Sequence, residues 1–322
     1  MSQRSAILHI GLHKTGSTTL QYALVTNRVP LRDQGVFYSC EHLPSKTQHS
    51  HLALFLRTGQ TDQYQSALRA ILDDFGASGC SRIVLSGEEF STLKAELVDK
   101  VYKDLATEVG RIEVVLYVRN LYKFMSSLVA QYSKGADTII YPHVAISRLK
   151  GFNPSDVLRR WEAVAGEANV TVRCLDKLPE GKTIVESFAD FAAIQLPLVA
   201  ADSFANRSAD AIAASLQSHL AFEFGLTEPV FYRAYFSELG ERFSLPRIEA
   251  RYFDQMEEWV RGVDLSHPKL RPFDEVMRAR PAVTAADGDS SIRLAEYLGF
   301  MSAVLNRARM IVEAGNRYRA AS

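Results

Sequence analysis

The 322-residue chain has little of what marks a secreted, membrane-spanning or polyanion-coating protein. Its three cysteines, Cys40, Cys80 and Cys174, are odd in number and widely spaced, which fits free thiols in a reducing compartment better than a disulfide framework. No stretch approaches the ~20 apolar residues of a membrane span, and the start, MSQRSAILHIGLHKTG, reaches Gly, His and Lys too early for a signal peptide. The expected location is the cytoplasm. Net charge is absent too, since 37 Lys and Arg offset 37 Asp and Glu. That neutrality excludes recruitment of nucleic acid or acidic membrane by bulk electrostatics, which needs an unbalanced basic face. A small, locally basic anion site is still allowed.

What is present is alternation. Short apolar runs at Ala6 to Ile10, Arg82 to Ser86 and Ile112 to Val118 are each followed by a loop and a helical pattern, as in βαβ units built on buried parallel strands. Val170 to Leu175 is expected to extend the same sheet. The helix expected from about Asn120 to Lys134 carries Leu121, Phe124, Met125, Leu128, Val129 and Tyr132 on one stripe and Lys123, Ser127, Gln131 and Lys134 on the other. After about Ala200 helical periodicity takes over, in Ser208 to Phe224, Ile248 to Val260 and Ile292 to Ala314. Between these lie Pro-containing connections such as Ser266 to Pro272, and a polar stretch, Thr284 to Ser291, read as a mobile loop. No linker is long enough to separate two cores. The expectation is one α/β domain over residues 1–322, three layers with a central, mainly parallel sheet in 1–200 and a mainly helical portion in 201–322.

The first strand runs into Gly11-Leu12-His13-Lys14-Thr15-Gly16, and Ser17-Thr18-Thr19-Leu20 then opens a helix that must end before Pro30. Two glycines allow a tight turn, so that loop amides and the helix amino end converge on one point, where a phosphate binds well. Ser17 and Thr18 add hydroxyls and Lys14 adds a charge. The spacing from Gly11 to Gly16 is that of a GxxxxGK[ST] phosphate loop, but Ser17 stands at the lysine position and the lysine has moved to Lys14. No strand ends in a plain metal-binding aspartate of the kind such kinases use.

The string HKTGSTTLQ after a strand resembles the 5′-phosphosulfate loop of sulfotransferases that use 3′-phosphoadenosine 5′-phosphosulfate (PAPS), with Lys14, Thr15, Gly16, Ser17 and Thr18 matching its core position by position. The resemblance implies a P-loop NTPase-like α/β/α fold and PAPS as the donor, with no metal. It also implies a second element, a strand-terminal arginine and a serine eight residues on, both reaching the 3′-phosphate; Arg119 and Ser127 carry that spacing. His13 is expected to shape the donor loop. The aromatic residue that follows the Thr pair in well-known cytosolic members is Thr19 here, and their C-terminal Arg-Lys-Gly loop has no counterpart. The order HIGLHKTGSTTLQ, GVFY, LSGEE looks more like the bacterial branch of the family, and the similarity covers residues 5 to about 135. Charge is distributed accordingly: residues 1–35 carry four basic side chains against one acidic, and residues 111–160 eight against three.

The implied reaction is in-line transfer of a sulfuryl group to an acceptor hydroxyl or amine, with Lys14, the loop amides and the helix dipole countering charge on the departing phosphate. The acceptor needs a base. Glu88 and Glu89 follow a strand whose carboxyl end shares an edge with the phosphate loop; His42, His49 and His51 are the other candidates. Ser86-Gly87-Glu88 and His51-Leu52-Ala53 resemble recurring features of the bacterial branch, so His51 and Glu88 rank level as catalytic candidates beside Lys14. The alternatives are a capping or solvated acid for Glu88 and a partly buried, backbone-bonded histidine for His51. Cys40, His42, His49 and His51 match no zinc-finger spacing. The aromatic stretch Phe231 to Phe236 reads as core, with an acceptor-pocket lining as the alternative. Residues 201–322 would form the acceptor side or a lid, with a glycan, lipid or small-metabolite acceptor. A small-metabolite kinase using Mg-ATP and a non-catalytic binder of 3′-phosphoadenosine 5′-phosphate are the competing functions.

Overall fold

The computed structural model describes residues 4–133, 146–147, 149, 152–197 and 246–281. Among them, β1 (Ser5–His9), β2 (Val36–Phe37), β3 (Arg82–Ser86), β4 (Arg111–Val118) and β5 (Val170–Cys174) form one sheet in the order β2-β3-β1-β4-β5. Every pairing is parallel. From central β1 the chain moves out to β2, returns through β3, and then crosses to β4 on the other side. The carboxyl ends of β1 and β4 therefore flank the point where the connections diverge, which is where open parallel sheets gather ligands.

Burial on both faces explains the near-continuous apolar strands. Ile7, Val84, Val115 and Tyr117 face a core shared with Leu20, Ala23 and Leu24 of α1 (Ser17–Thr26) and with Val185 and Phe188 of a later helix, Ile184–Ala192. That helix starts on a capping box, in which the Thr183 hydroxyl accepts from the Glu186 amide and the Glu186 carboxylate accepts from the Thr183 amide. The alternate residues Val114 and Leu116 point the other way, where α5 (Ala95–Ala106) and the helix Pro154–Ala165 pack on β4. Asn153 caps the latter helix by accepting from the Asp156 amide, and its fully buried Trp161 anchors that layer. The result is three layers, helices on both faces of a parallel sheet. Between the strands, α2 (Arg28–Asp33) leads to β2, while α3 (Ser50–Arg57) packs on α4 (Thr61–Ala77).

The chain separates into two compact units, one of residues 1–120, 153–206 and 263–277, the other of 121–152, 207–262 and 278–322. The first holds the sheet. In the second, α6 (Leu121–Ser133) packs on the helix Pro246–Gly262, with Phe124 set against Phe152 and stacked on Trp259 and with Tyr122 edge-on to Phe253. Leu121, Phe124, Met125 and Leu128 are buried and Lys123 and Gln131 exposed, as the 3.6-residue period predicts; the side chains of Val129, Tyr132 and Lys134 lie outside the described residues. So do Ser208 to Phe224, Phe231 to Phe236, Thr284 to Ser291 and Ile292 to Ala314. Residues 266–272 form a turn leading into a 3-10 helix, Arg271–Phe273. No described helix is long and apolar enough to cross a membrane.

Candidate functional site

Although β1 ends at His9, the chain stays on β4 for three more residues, since the Ile10 amide donates to the Val115 carbonyl and the Leu12 amide to that of Tyr117. It then turns through left-handed conformations at Lys14 (φ 64°) and Gly16 (φ 82°), the latter the N-cap of α1. A left-handed conformation costs a residue with a Cβ roughly 1–2 kcal/mol, so Lys14 must be held there. Two contacts do so. The buried Thr15 hydroxyl donates to the Leu12 carbonyl at 2.6 Å, and Arg119 Nη1, arriving from the end of β4, donates to the Lys14 carbonyl at 2.7 Å. Arg119 is set in turn by its neighbour Asn120, whose amide donates to Asp176 Oδ2 and whose side chain donates to the Val276 carbonyl at 2.8 Å.

The first turn of α1 has no capping side chain and no acidic residue, so the positive end of its dipole is left uncompensated by side chains. Thr18 and Thr19 are exposed there, whereas Ser17 is buried and its Oγ has no hydrogen-bond partner among the described residues. Arg119 Nε is buried and equally unpaired. A buried, unsatisfied polar group costs about 1–3 kcal/mol, which a ligand accepting or donating there would recover. Gly11 is required by space: a Cβ on it would lie 3.0 Å from Ser17 Oγ and 3.3 Å from His9 Nε2.

Acidic groups meet this loop from the 3-10 helix Glu88–Thr92, which follows β3. Glu88 Oε1 is 3.3 Å from His13 Nδ1, and Glu89 Oε1 is 3.7 Å from His13 Nε2; Glu89 Oε2 also accepts from Arg57 Nη1 at 2.7 Å. For His13, burial disfavours the charged ring, but the hydrogen bond and charge of Glu88, helped by Glu89, outweigh it and raise the pKa. For Glu88, burial pushes the carboxyl up, yet His13, then Lys14 and His9, bring it below the ordinary carboxylate value. The two shifts agree on a charged pair.

Two histidines serve the frame. The His49 amide donates to the Ser86 carbonyl at 2.7 Å and His49 Nδ1 accepts from the Ser86 amide at 3.1 Å, which leaves Nε2 as the donor to the Ser39 carbonyl at 2.9 Å. Its lone pair is spent, and burial lowers its pKa to about 4. His9, a polar residue on the α1-facing side of an apolar strand, was not foreseen as part of the site. Its Nδ1 is hydrogen-bonded to Ser86 Oγ at 2.7 Å, its Nε2 is buried and unpaired among the described residues, and burial, opposed by Glu88, lowers its pKa to about 4. The signal for it was local: SAILHI places a histidine on the buried face one turn of chain before the glycine loop.

The structure brings His13, Lys14, Thr15, Gly16, Ser17, Arg119 and Glu88 to one edge of the sheet. Thr15 spends its hydroxyl inside the loop. His51 lies in the first turn of α3, next to Ser50, whose amide nitrogen abuts Gly87; its Nδ1 is buried with no hydrogen-bond partner among the described residues, and its ring faces Phe55 at 6.0 Å. Ser127 is half-buried in α6, in the other unit. His42 pairs with Asp74 at 2.8 Å, while Cys40 packs beside His49 at 3.8 Å. Comparison with protein-family models, curated proteins and solved structures finds no match.

Proposed function

We propose that the chain is a PAPS-dependent sulfotransferase. The observation that carries this reading is the loop from Gly11 to Ser17, in which a left-handed Lys14 is braced by Arg119 and buried polar atoms of Ser17 and Arg119 await a partner. These residues fit an anionic group at the amino end of α1, with Ser17, Thr18 and Thr19 supplying hydroxyls and Lys14 a compact charge. In the transfer the acceptor oxygen bonds to sulfur as the bridging phosphate oxygen leaves, and the acceptor's proton passes to a base on the α3 and Glu88 side of the loop, His51 or Glu88. Lys14 and the helix dipole counter the charge growing on the leaving phosphate. Arg119 is assigned to the 3′-phosphate, and no step calls for a metal. The acceptor is a glycan, lipid or small metabolite bearing a hydroxyl or amine. All three cysteines are free and buried, which suits the cytoplasm as the proposed location.

Thermal shift is the test, with the bisphosphate added in EDTA and ATP added in a separate buffer with excess Mg²⁺ and no chelator. Saturating 3′-phosphoadenosine 5′-phosphate at 100 times its Kd should stabilise the protein by about 2.7 kcal/mol, a shift of several degrees, and Mg-ATP should give little. Stabilisation by Mg-ATP with none by the bisphosphate would replace this reading with that of a kinase.

A further inference from the structure

Both ring nitrogens of His13 face carboxylates, Nδ1 towards Glu88 and Nε2 towards Glu89. A neutral imidazole has one N–H and one lone pair, so its lone pair would face one of the two carboxylates; the imidazolium presents an N–H and a positive charge to both, to Glu88 at 3.3 Å and, as an ion pair, to Glu89 at 3.7 Å. The carboxylates are themselves fixed. Arg57 of α3 holds Glu89, and Glu88 opens a 3-10 helix whose entrance, Gly87, is pressed against the backbone of His49 and Ser50. Among the described residues, the other charged or titratable groups bearing on the pair are Lys14 from the loop itself and His9 from β1, kept neutral by burial, while Arg119 from β4 is bonded to the Lys14 carbonyl. Among His13, Lys14, Arg57, Glu88 and Glu89, the His13 proton decides whether the local charges cancel or leave an excess of one positive.

We propose that His13, held as an imidazolium between Glu88 and Glu89, is a second cation of the donor site beside Lys14, and that Glu88 is a positioning residue acting through it. The proton acceptor is then His51, the candidate whose Nδ1 has no hydrogen-bond partner among the described residues. This rests on the sulfotransferase reading. The directions of the two pKa shifts agree with the geometry: His13 is raised and Glu88 lowered, so both are charged in the window between their folded values. An anion bound at the loop favours the protonated ring further, and by linkage its binding takes up a proton above the ligand-free pKa of His13.

The test is a pH titration of the His13 ring nitrogens by NMR in 15N-histidine-labelled full-length protein, alone and with 3′-phosphoadenosine 5′-phosphate, in wild type, Glu88→Gln and Glu89→Gln. The expected results are a ring protonated at both nitrogens above pH 6.5, a lower midpoint in either variant, and a higher one with the nucleotide. Nucleotide affinity should fall up to tenfold per pH unit between the free and bound midpoints. His13→Gln should flatten that dependence at weak affinity, and His13→Lys should restore affinity and remain flat. A His13 that titrates below pH 6.5 in a protein that binds the nucleotide overturns this inference alone. A raised midpoint in a protein that ignores the nucleotide overturns the sulfotransferase reading, and with it the role in donor binding.

Discussion

At Gly87 an added Cβ would stand 2.7 Å from the Ser50 amide nitrogen and 3.0 Å from the His49 carbonyl carbon, both backbone atoms that cannot swing away. Gly87→Ala should therefore push α3 off the end of β3 and cost about 1–3 kcal/mol, read as a lower urea midpoint. Gly59 is the contrasting case: it has a left-handed φ of 76° but nothing within 4 Å of a Cβ, so Gly59→Ala should cost only the strain of that conformation, roughly 1–2 kcal/mol, with no displacement of neighbouring backbone. An unchanged urea midpoint in Gly87→Ala would mean that packing at Gly87 is slack. At this scale the sequence was readable wherever a residue type has a single physical use. Gly16, the left-handed residue just before α1, is such a case. It was not readable for Thr15, whose hydroxyl turned inward, or for His9 and His49, whose partners at Ser86 are 77 and 37 residues away.

The strands and α6 were legible as elements because their periodicities are strong and local: β1, β3, β4 and β5 fall within a residue of the apolar runs, and α6 begins one residue inside the expected span. What was not legible is how elements substitute for one another. β2 pairs over only two residues, and beyond it His49 uses its main-chain amide and its imidazole to satisfy Ser86 where a neighbouring strand would have continued. Arg119 gives a second example. The family resemblance implies a phosphate role for it, whereas its bond to the Lys14 carbonyl depends on β4 lying beside β1, a consequence of sheet order that no local pattern encodes. The brace also explains how a lysine can occupy a left-handed position: the end of β4 is anchored by Asp176 and by the Val276 carbonyl, so the arginine reaches a fixed loop from a fixed strand.

At the scale of the whole molecule, the equality of acidic and basic residues conceals local pairing, and its consequence appears with pH. His9 and His49 must be neutral in the fold, with pKa values near 4 against an ordinary 6.5. Between those values the unfolded chain binds more protons than the native one, so stability is full above pH 6.5 and falls as pH drops towards 4. Each shift corresponds to roughly 3 kcal/mol if fully expressed. Urea midpoints should decline steeply from pH 7 to pH 4.5, and His9→Gln should remove part of that slope; an unchanged slope would mean that His9 is already solvated. The fold class and the loop were thus in the sequence, while the buried polar frame beneath them depended on three dimensions.

The central claim is that the loop between β1 and α1, braced from β4, binds an adenosine bisphosphate without metal. Calorimetric titration of wild type and Arg119→Ala with 3′-phosphoadenosine 5′-phosphate in EDTA tests it most directly. The account predicts one site per chain and an affinity at least tenfold weaker in the variant, about 1.4 kcal/mol or more. No binding to wild type, or equal affinity in both proteins, would contradict it.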